Sequence, residues 1–532
     1  MKAFLMYRDR DFDPMQLLSR RERNSRGSAK DQSLSLQQIL PSNASALTQD
    51  LGLDILFNAM ALGDNFLFEV ATVAVLSSVT DPQTIRYREN ILKDCTHNEA
   101  IVREMYQIAC EAISEERKRY WGLFYRYPSS VLHQAVDVLQ MLVGKLRRLR
   151  RVADHHAKHF PSDGVTRLFA MLETELSDEY FATIEQHLKR LQFRNGVLVS
   201  AQLGKGNKAA NYVLRKPHHD QRNWIARLLQ PPPGYTFQLH PRDEAGAQAL
   251  ANLQNQGIND VANATAQSAD HIVSFFQMLR TELAFYVGCL NLKHRLDGLG
   301  TPVCLPTAAP FGRRELSFSG LYDVCLALSA KRKVVGNDLN AGEKDLIVVT
   351  GANSGDKSTF LRSLGTGQLM MQAGMFVAAE SFSAEVREGI LTHFRREEDA
   401  TMESGKLDEE LGRMSGIVDG LSPRSMVLFN ESFSATNERE GSEIAAQITN
   451  ALLENGVRVA FVTHLYEFAR RLHERKMPNA VFLRAERLPD GTRTFRLSEA
   501  GPLRTSYGKD VYEAEFGSEH VGARREPLSA AE

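Results

Sequence analysis

Two stretches in the first 300 residues place apolar side chains at steps of three and four, which is the spacing of one helix face. The first stretch covers residues 131–152 and predicts a long helix. The second covers residues 271–296, and we interpret its stripe as core or interhelix packing rather than as a cofactor-binding surface. The stripe residues are Leu132, Val136, Leu139, Val143 and Leu146, and then Ile272, Phe275, Phe276, Leu279, Leu283, Tyr286 and Leu290.

The pattern changes twice along the chain. Residues 193–214 resemble a β-hairpin, because Asn195-Gly196 is a strong turn signal and strand-forming residues follow it. After Gly300, apolar runs rich in β-branched residues alternate with helical segments, which predicts a parallel sheet with crossover helices. The buried strands predicted in this part are residues 346–350, 426–429 and 459–463.

The first of these strands leads into a glycine-rich turn and then a helical pattern, which is the context of a phosphate-binding P-loop. Backbone amides of such a turn point at phosphate oxygens, a lysine adds positive charge, and a serine hydroxyl can bind Mg²⁺. We therefore predict ATP and Mg²⁺ as cofactors. The predicted nucleotide-binding residues are Gly351, Ala352, Asn353, Ser354, Gly355, Asp356, Lys357, Ser358 and Thr359, with Ser358 also a metal ligand.

One position departs from the usual loop pattern. Asp356 stands immediately before the lysine, where a P-loop normally has glycine. Its carboxylate opposes anion binding, and a Cβ atom at this position crowds the backbone. We expect Asp356 to weaken nucleotide binding and to be the main threat to hydrolysis.

Polar residues end the other two predicted strands. Asn430 and Glu431 follow the second strand, where P-loop ATPases place an acid that holds Mg²⁺ and then a glutamate that activates water. Asn430 keeps an acceptor oxygen for the metal but lacks the charge, and Glu431 is the predicted general base. His464 ends the third strand, where it can sense the γ-phosphate through water. Strand-end capping is the alternative reading of the pair, and a structural histidine that of His464.

Five ordered segments of the last 200 residues resemble the ATPase motifs of the DNA mismatch repair MutS family. The resemblance covers about 170 residues and implies an ABC-type ATPase that dimerises, so that each site is completed by the partner. It also implies phosphate contacts from Asn353 and Lys357, with Glu431 as base and His464 as switch. The segments are Gly336-Asn337-Asp338, residues 350–362, residues 428–441, residues 461–467 and Ser506-Tyr507-Gly508.

The chain also departs from that family. In residues 403–411, Ser404 and Gly405 are the remaining candidates for the family's serine-rich signature, and Leu407 replaces an expected serine. No Phe-x-Glu mismatch-reading motif stands in a suitable N-terminal context, and little sequence follows Tyr507 for a C-terminal dimerisation element. Mismatch recognition is therefore doubtful even where ATP and DNA binding hold.

Composition narrows the class without deciding it. The 532 residues carry a formal net charge of −1, which excludes a wholly basic nucleic-acid coat but permits local basic patches. No apolar run is long enough to span a bilayer or to form a signal peptide, so we expect a cytoplasmic protein without membrane contact. Five widely spaced cysteines favour reduced, buried thiols over disulfides or a zinc site.

Two basic features have two readings each. Five residues at the end of the first long helix form what we call the basic cluster, which is either a solvated helix end or a contact to a phosphate backbone. The turn at residues 204–208 is either solvated or in contact with nucleic acid. The members of the basic cluster are Lys145, Arg147, Arg148, Arg150 and Arg151.

Taken together, the sequence predicts an α/β P-loop ATPase domain at residues 331–532. A mainly α-helical core and lever region with a β-hairpin at 131–330 precedes it, and a mostly helical region with a polar, flexible start covers 1–130. The predicted function is ATP-dependent binding of double-stranded DNA by a homodimer, in mismatch repair or DNA maintenance. The alternatives are a nucleotide-gated interaction protein with little or no hydrolysis and, less favoured, a metabolite kinase.

Overall fold

The computed structural model describes residues 1–12, 40–119, 127–193, 196–207, 209–215, 238–351, 356–396, 405–487 and 493–503. The chain divides into two compact units. One comprises residues 1–5, 9–12 and 98–283, and the other comprises residues 6–8, 13–97 and 284–532. The domain limits predicted at 130 and 330 stay a prediction.

The helices have these bounds in chain order: α1 (Ala44–Leu51), α2 (Leu53–Ala61), α3 (Asn65–Leu76), α4 (Pro82–His97), α5 (Glu99–Arg119), α6 (Pro128–His156), α7 (Asp163–Glu175), α8 (Asp178–Leu191), α9 (Glu244–Gly298), α10 (Val324–Ala330), α11 (Asp356–Ala373), α12 (Lys406–Asp419), α13 (Glu438–Glu454) and α14 (Tyr466–Glu474). Within the described residues, no helix is both long and apolar enough to cross a membrane.

The strands have these bounds: β1 (Val199–Leu203), β2 (Ala209–Leu214), β3 (Thr307–Ala309), β4 (Leu316–Leu321), β5 (Asn337–Asn340), β6 (Leu346–Thr350), β7 (Ser381–Glu385), β8 (Ile390–Phe394), β9 (Met426–Asn430), β10 (Arg458–Val462), β11 (Ala480–Arg487) and β12 (Arg493–Glu499).

The first unit is built around α6, which packs against α5, α7 and α8. The helix predicted over residues 131–152 is confirmed, and it begins at Pro128, a residue whose fixed φ suits the first helical turn. All five residues of its predicted stripe are buried. The stripe is therefore the packing face that the spacing predicts.

Two elements of this unit differ from the prediction in extent. The hairpin is formed by β1 and β2, but the chain reverses between Leu203 and Ala209 instead of at Asn195-Gly196. Gly196, with a φ of 87°, lies before β1, and Asn195 is outside the described residues. The second predicted helix is part of α9, which begins 27 residues before the predicted start because the alanine- and glutamine-rich segment at its beginning is also helical.

The second unit contains two sheets, so the C-terminal part of this helix-rich chain is mixed α/β. The larger sheet has the strand order β12-β11-β6-β10-β9-β8, and the five strands from β11 to β8 run parallel. Only its edge strand β12 is antiparallel among the six. The parallel sheet predicted after Gly300 is therefore present. A second, mainly antiparallel sheet, of order β3-β7-β4-β5, was not predicted.

Both faces of the larger sheet are covered, which explains why β6 and β10 are buried along their whole length. Alternate residues such as Val348, Phe429 and Phe461 form a core with residues of α13 and α14. Leu428 points to the other face, towards α11, where a Cβ at Gly365 would lie 2.6 Å from its Cδ1. Close packing of α11 on β9 thus sets where the start of α11 lies.

Candidate functional site

The carboxyl ends of three neighbouring parallel strands, β6, β10 and β9, meet at one edge of the larger sheet. Gly351 follows β6 with a φ of 122°, a conformation open to glycine. A Cβ there would lie 3.0 Å from the Cβ of Ala485 and 3.1 Å from its backbone nitrogen. The chain can therefore leave β6 in this direction only with glycine at this position.

The start of α11 brings Lys357 and Ser358 to this edge. The ammonium of Lys357, in a side chain that is buried, donates to the carbonyl oxygen of Gly351 at 3.0 Å. The hydroxyl of Ser358 donates to Oδ1 of Asn430 at 2.8 Å. Thr359, half-buried, follows in the same turn. A buried cation and unpaired helix N-terminal amides both favour an anion at this edge.

Glu431 and His464 form a second pair there. Nε2 of His464 lies 2.8 Å from Oε1 of Glu431. This hydrogen bond, followed by the charges of Lys357 and Arg395, lowers the pKa of Glu431 against the opposing effect of burial. The carboxylate is therefore ionised and can only accept, so Nε2 of His464 carries the proton. We call Lys357, Ser358, Asn430, Glu431 and His464 the strand-end cluster.

The backbone around Glu431 is strained. Glu431 has a φ of 55° and Phe433 a φ of 61°, both in the left-handed region that non-glycine residues avoid. Each such residue costs about 1–3 kcal/mol and persists only where the surroundings impose it. The amide of Glu431 donates to the carbonyl oxygen of Val462, and Ser434 donates to the carbonyl oxygen of Glu431 at 2.7 Å.

Helix α13 begins directly against this loop. A Cβ built on Gly441, in the first turn of α13, would lie 2.3 Å from the carbonyl oxygen of Phe433. Real Cβ atoms do not approach a backbone oxygen so closely, so glycine is required at this position. The side chain of Asn437 caps the helix by accepting from the amide of Glu440.

The arrangement fits Mg²⁺ by its donor set. Ser358 and Asn430 offer two oxygen atoms, the ligand type that this hard cation takes, and they lie 2.8 Å apart. Both are neutral in this pairing, so the strand-end cluster would hold the metal with less charge than an Asp at position 430 would provide. Among the described residues, no group of three or more His, Cys, Asp or Glu side chains is arranged to hold a metal ion.

Several predicted residues are not part of what the structure shows at this edge. Ala352, Asn353, Ser354 and Gly355 lie outside the described residues. Asp356 is the first residue of α11, and its side chain also lies outside them, so its predicted effect stays a prediction. The same holds for Ser404 and for the segment at residues 506–508, whereas Gly405 precedes α12 as its N-cap residue.

The Asn337-Asp338 pair has a structural role in the smaller sheet. Oδ1 of Asn337 accepts from the amide of Leu497, and Oδ1 of Asp338 accepts from the amide of Gly320, both at 2.7 Å. A Cβ on the preceding Gly336 would lie 2.5 Å from the carbonyl oxygen of Gly320. These contacts fix how β5 joins its neighbours.

Sequence reasoning missed two residues beside Glu431. The hydroxyl of Ser432 lies 2.7 Å from Nδ1 of His393, which is fully buried on β8. Ser432 stands inside the motif at residues 428–441 and could have been found there. His393 gave no signal, because a lone histidine in an apolar run is usually interpreted as packing.

The basic cluster on α6 is largely neutralised by carboxylates. Lys145 donates to Glu111 and Glu115 at 2.8 and 2.7 Å, and Arg148 donates to Glu111 at 2.6 Å. Arg147 pairs with Glu185, and Arg150 pairs with Asp154. Neither earlier reading anticipated this. The cluster serves mainly to join α6 to α5 and α8 by ion pairs.

Comparison with known families agrees with this architecture. The family described as MutS2 N-terminal domain matches residues 80–299, and the family described as MutS domain V matches residues 347–527. The chain is thus a helix-rich protein whose C-terminal α/β part is similar to a P-loop ATPase-type domain. It belongs to the MutS family, as the motifs suggested.

Two relatives illustrate the extent of the similarity. Endonuclease MutS2 of Lacticaseibacillus paracasei is 34% identical over 231 residues, which are 41% of this chain and 29% of that protein. DNA mismatch repair protein MutS of Thermus thermophilus is 30% identical over 225 residues, 42% of this chain and 27% of that protein. The matched segments thus span less than a third of either relative.

Proposed function

We propose that this protein is an ATP-dependent, DNA-binding ATPase of the MutS type that acts in DNA mismatch repair, recombination or maintenance. The observation that carries the proposal is the strand-end cluster, in which two hydrogen-bonded polar pairs and a buried ammonium lie at the ends of adjacent parallel strands. Open α/β sheets bind ligands at this edge. Membership of the MutS family supports ATP as the ligand.

In this proposal each residue has one task. Lys357 exchanges its bond to the carbonyl oxygen of Gly351 for the phosphate oxygens, and the first amides of α11 bind the same anion. Ser358 and Asn430 would hold Mg²⁺, which supplies charge that stabilises the leaving phosphate. Glu431 accepts the proton of the attacking water, and His464 orients the carboxylate while it does so.

The remaining features of the proposal rest on the family. The P-loop ATPase domain comprises residues 331–532 and forms a homodimer, while the helical regions 1–130 and 131–330 contact double-stranded DNA. The protein would act in the cytoplasm. DNA binding should weaken as salt rises, since released counterions drive contacts to phosphates.

One observation favours a second candidate, a nucleotide-gated interaction protein with little hydrolysis. Asn430, the partner of Ser358, brings no charge to the metal site. The two candidates differ in turnover and agree in nucleotide binding.

The test uses the full chain with Mg²⁺ in three assays: ATP binding, ATP hydrolysis, and DNA binding at several salt concentrations. We expect saturable ATP binding, turnover that is lost in Glu431→Ala, and salt-sensitive DNA affinity. Binding without turnover would select the second candidate. Absence of ATP binding would refute both, and absence of DNA binding at low salt would refute the DNA-binding part. Glu454→Gln, a change at an exposed glutamate near the end of α13, is the matched control.

A further inference from the structure

Ser432 stands between the two left-handed residues Glu431 and Phe433, so whatever fixes Ser432 fixes the strained loop. Its hydroxyl lies 2.7 Å from Nδ1 of His393 and donates to the backbone carbonyl oxygen of the same residue at 2.6 Å. The imidazole also stacks on the ring of Phe433, with the centroids 5.2 Å apart and the planes 19° apart. One side chain of β8 therefore contacts two consecutive residues after Glu431.

The same imidazole reaches a third element. Nε2 of His393 lies 3.0 Å from the backbone carbonyl oxygen of Glu410, in the second turn of α12. A carbonyl oxygen only accepts, so Nε2 carries the proton. Burial lowers the pKa of His393 to about 4, which keeps the ring neutral, and Nδ1 is then an acceptor for Ser432. The ring thus bridges α12 to the loop with one defined tautomer.

We infer that His393 is a positioning residue for the Glu431 carboxylate and that it links the position of α12 to that of the catalytic loop. The inference rests on the proposed role of Glu431 as general base. His393 itself does not reach the strand-end cluster, since both of its ring nitrogens are engaged by Ser432 and Glu410. It acts by holding the left-handed backbone in which the carboxylate meets His464.

The side chain suits this task better than an apolar residue would. A leucine or phenylalanine at position 393 could fill the space but would leave the loop attached only through packing. Loss of the hydrogen bond leaves Glu431 free to relax towards a commoner φ, which moves the carboxylate. A displacement of 1 Å at a catalytic group can cost about a hundredfold in rate.

The principal variant is His393→Phe, which keeps the stacking on Phe433 and removes both ring hydrogen bonds. We expect kcat to fall by about tenfold to a hundredfold while ATP affinity stays within about twofold, since only a group used in the transition state is displaced. His473→Phe, the same change on the exposed face of α14, is the control and should retain parental kcat.

Two further variants separate the two hydrogen bonds. The amide of His393→Asn can reach the position of Nδ1, and that of His393→Gln can reach the position of Nε2. We expect the asparagine variant to retain more of kcat, because the bond to Ser432 acts on the loop directly. Ser432→Ala should lower kcat like His393→Phe, and the double variant should be no slower than the slower single one, because both changes remove one interaction.

Hydrogen–deuterium exchange supplies a readout that does not need turnover. The peptide that covers residues 429–434 should exchange faster in His393→Phe than in the parent, because the amide of Glu431 loses its fixed geometry. Should His393→Phe not fold, the asparagine variant and Ser432→Ala carry the same comparison.

The outcomes separate this inference from the proposed function. Parental kcat or unchanged exchange in His393→Phe, with Glu431→Ala inactive, would overturn the role of His393 and leave the proposed function intact. Equal turnover in the parent and in Glu431→Ala would refute the general base, and the exchange measurement would still decide whether His393 holds the loop.

Discussion

The basic cluster on α6 and the strand-end cluster of the larger sheet both carry groups that suit phosphate, yet their surroundings differ. Lys145 and Arg148 face the carboxylate of Glu111. Lys357 donates instead to a backbone carbonyl oxygen, a neutral partner that an incoming anion can replace. Positive charge indicates a phosphate site only where no carboxylate has already paired it.

The largest effect should come from Glu431→Gln. The amide keeps the size of the side chain but cannot accept a proton, so turnover should fall by about a hundredfold or more. ATP affinity, measured by titration, should change little. Turnover near the parental value would show that the strand-end cluster is only a capping arrangement.

Lys357→Ala tests the binding half of the comparison. Loss of a charge-assisted hydrogen bond to phosphate should cost at least ~1.5 kcal/mol, which is about a tenfold rise in Kd. Lys333→Ala, at an exposed position of the same unit, serves as control, and Lys145→Ala should leave Kd unchanged. An equal effect of the two cluster lysines would remove the contrast between the clusters.

Asn430→Asp should strengthen the metal site. An added carboxylate charge raises affinity for a hard cation, so we expect half-saturation of ATP hydrolysis at about a fivefold lower Mg²⁺ concentration. A titration of turnover with Mg²⁺ measures this. An unchanged midpoint would mean that position 430 does not contact the metal.

Glu111→Gln should give the smallest effect, and its pH dependence is informative. The hydrogen bond from Lys145, followed by that from Arg148, lowers the pKa of Glu111 to about 2. The folded pKa lies below the unfolded one, so the stabilisation is full above about pH 5 and is lost as pH falls towards 2. The side chain is partly exposed, so we expect a loss of only about 0.5–1 kcal/mol at pH 7.

Denaturant unfolding at pH 7 and at pH 3 measures the difference between the parent and Glu111→Gln. The gap should be smaller at pH 3. Glu104→Gln, on an exposed position of the same helix, should show no gap at either pH. A gap that grows on acidification would contradict the assigned ion pairs.

Local pattern predicted the parallel strands because β6, β9 and β10 are buried on both faces and read as continuous apolar runs. The pairing of Ser358 with Asn430 followed from the rule that parallel strands end at one edge. The length of α9 was underestimated because much of its first half lacks a strong apolar stripe. Ion pairs such as Lys145–Glu111 join residues 34 positions apart, and no local pattern encodes them.

His393 marks the limit of such reasoning most clearly. Its neighbours in the chain are the apolar residues of β8, whereas its partners Ser432 and Glu410 come from two other segments. Only the assembled sheet and helix give the imidazole two polar neighbours. The part of a site that touches ligand can therefore be found from motifs more readily than the part that holds it in place.

The missing side chain at Gly441 has a dynamic consequence. Since not even a methyl group fits between α13 and the carbonyl oxygen of Phe433, the loop cannot slide past that helix. Any swing of the loop must carry the beginning of α13 with it. Such collective shifts occur over microseconds to milliseconds, not over the picoseconds of a rotamer flip, so the rhythm of this site would be that of a helix.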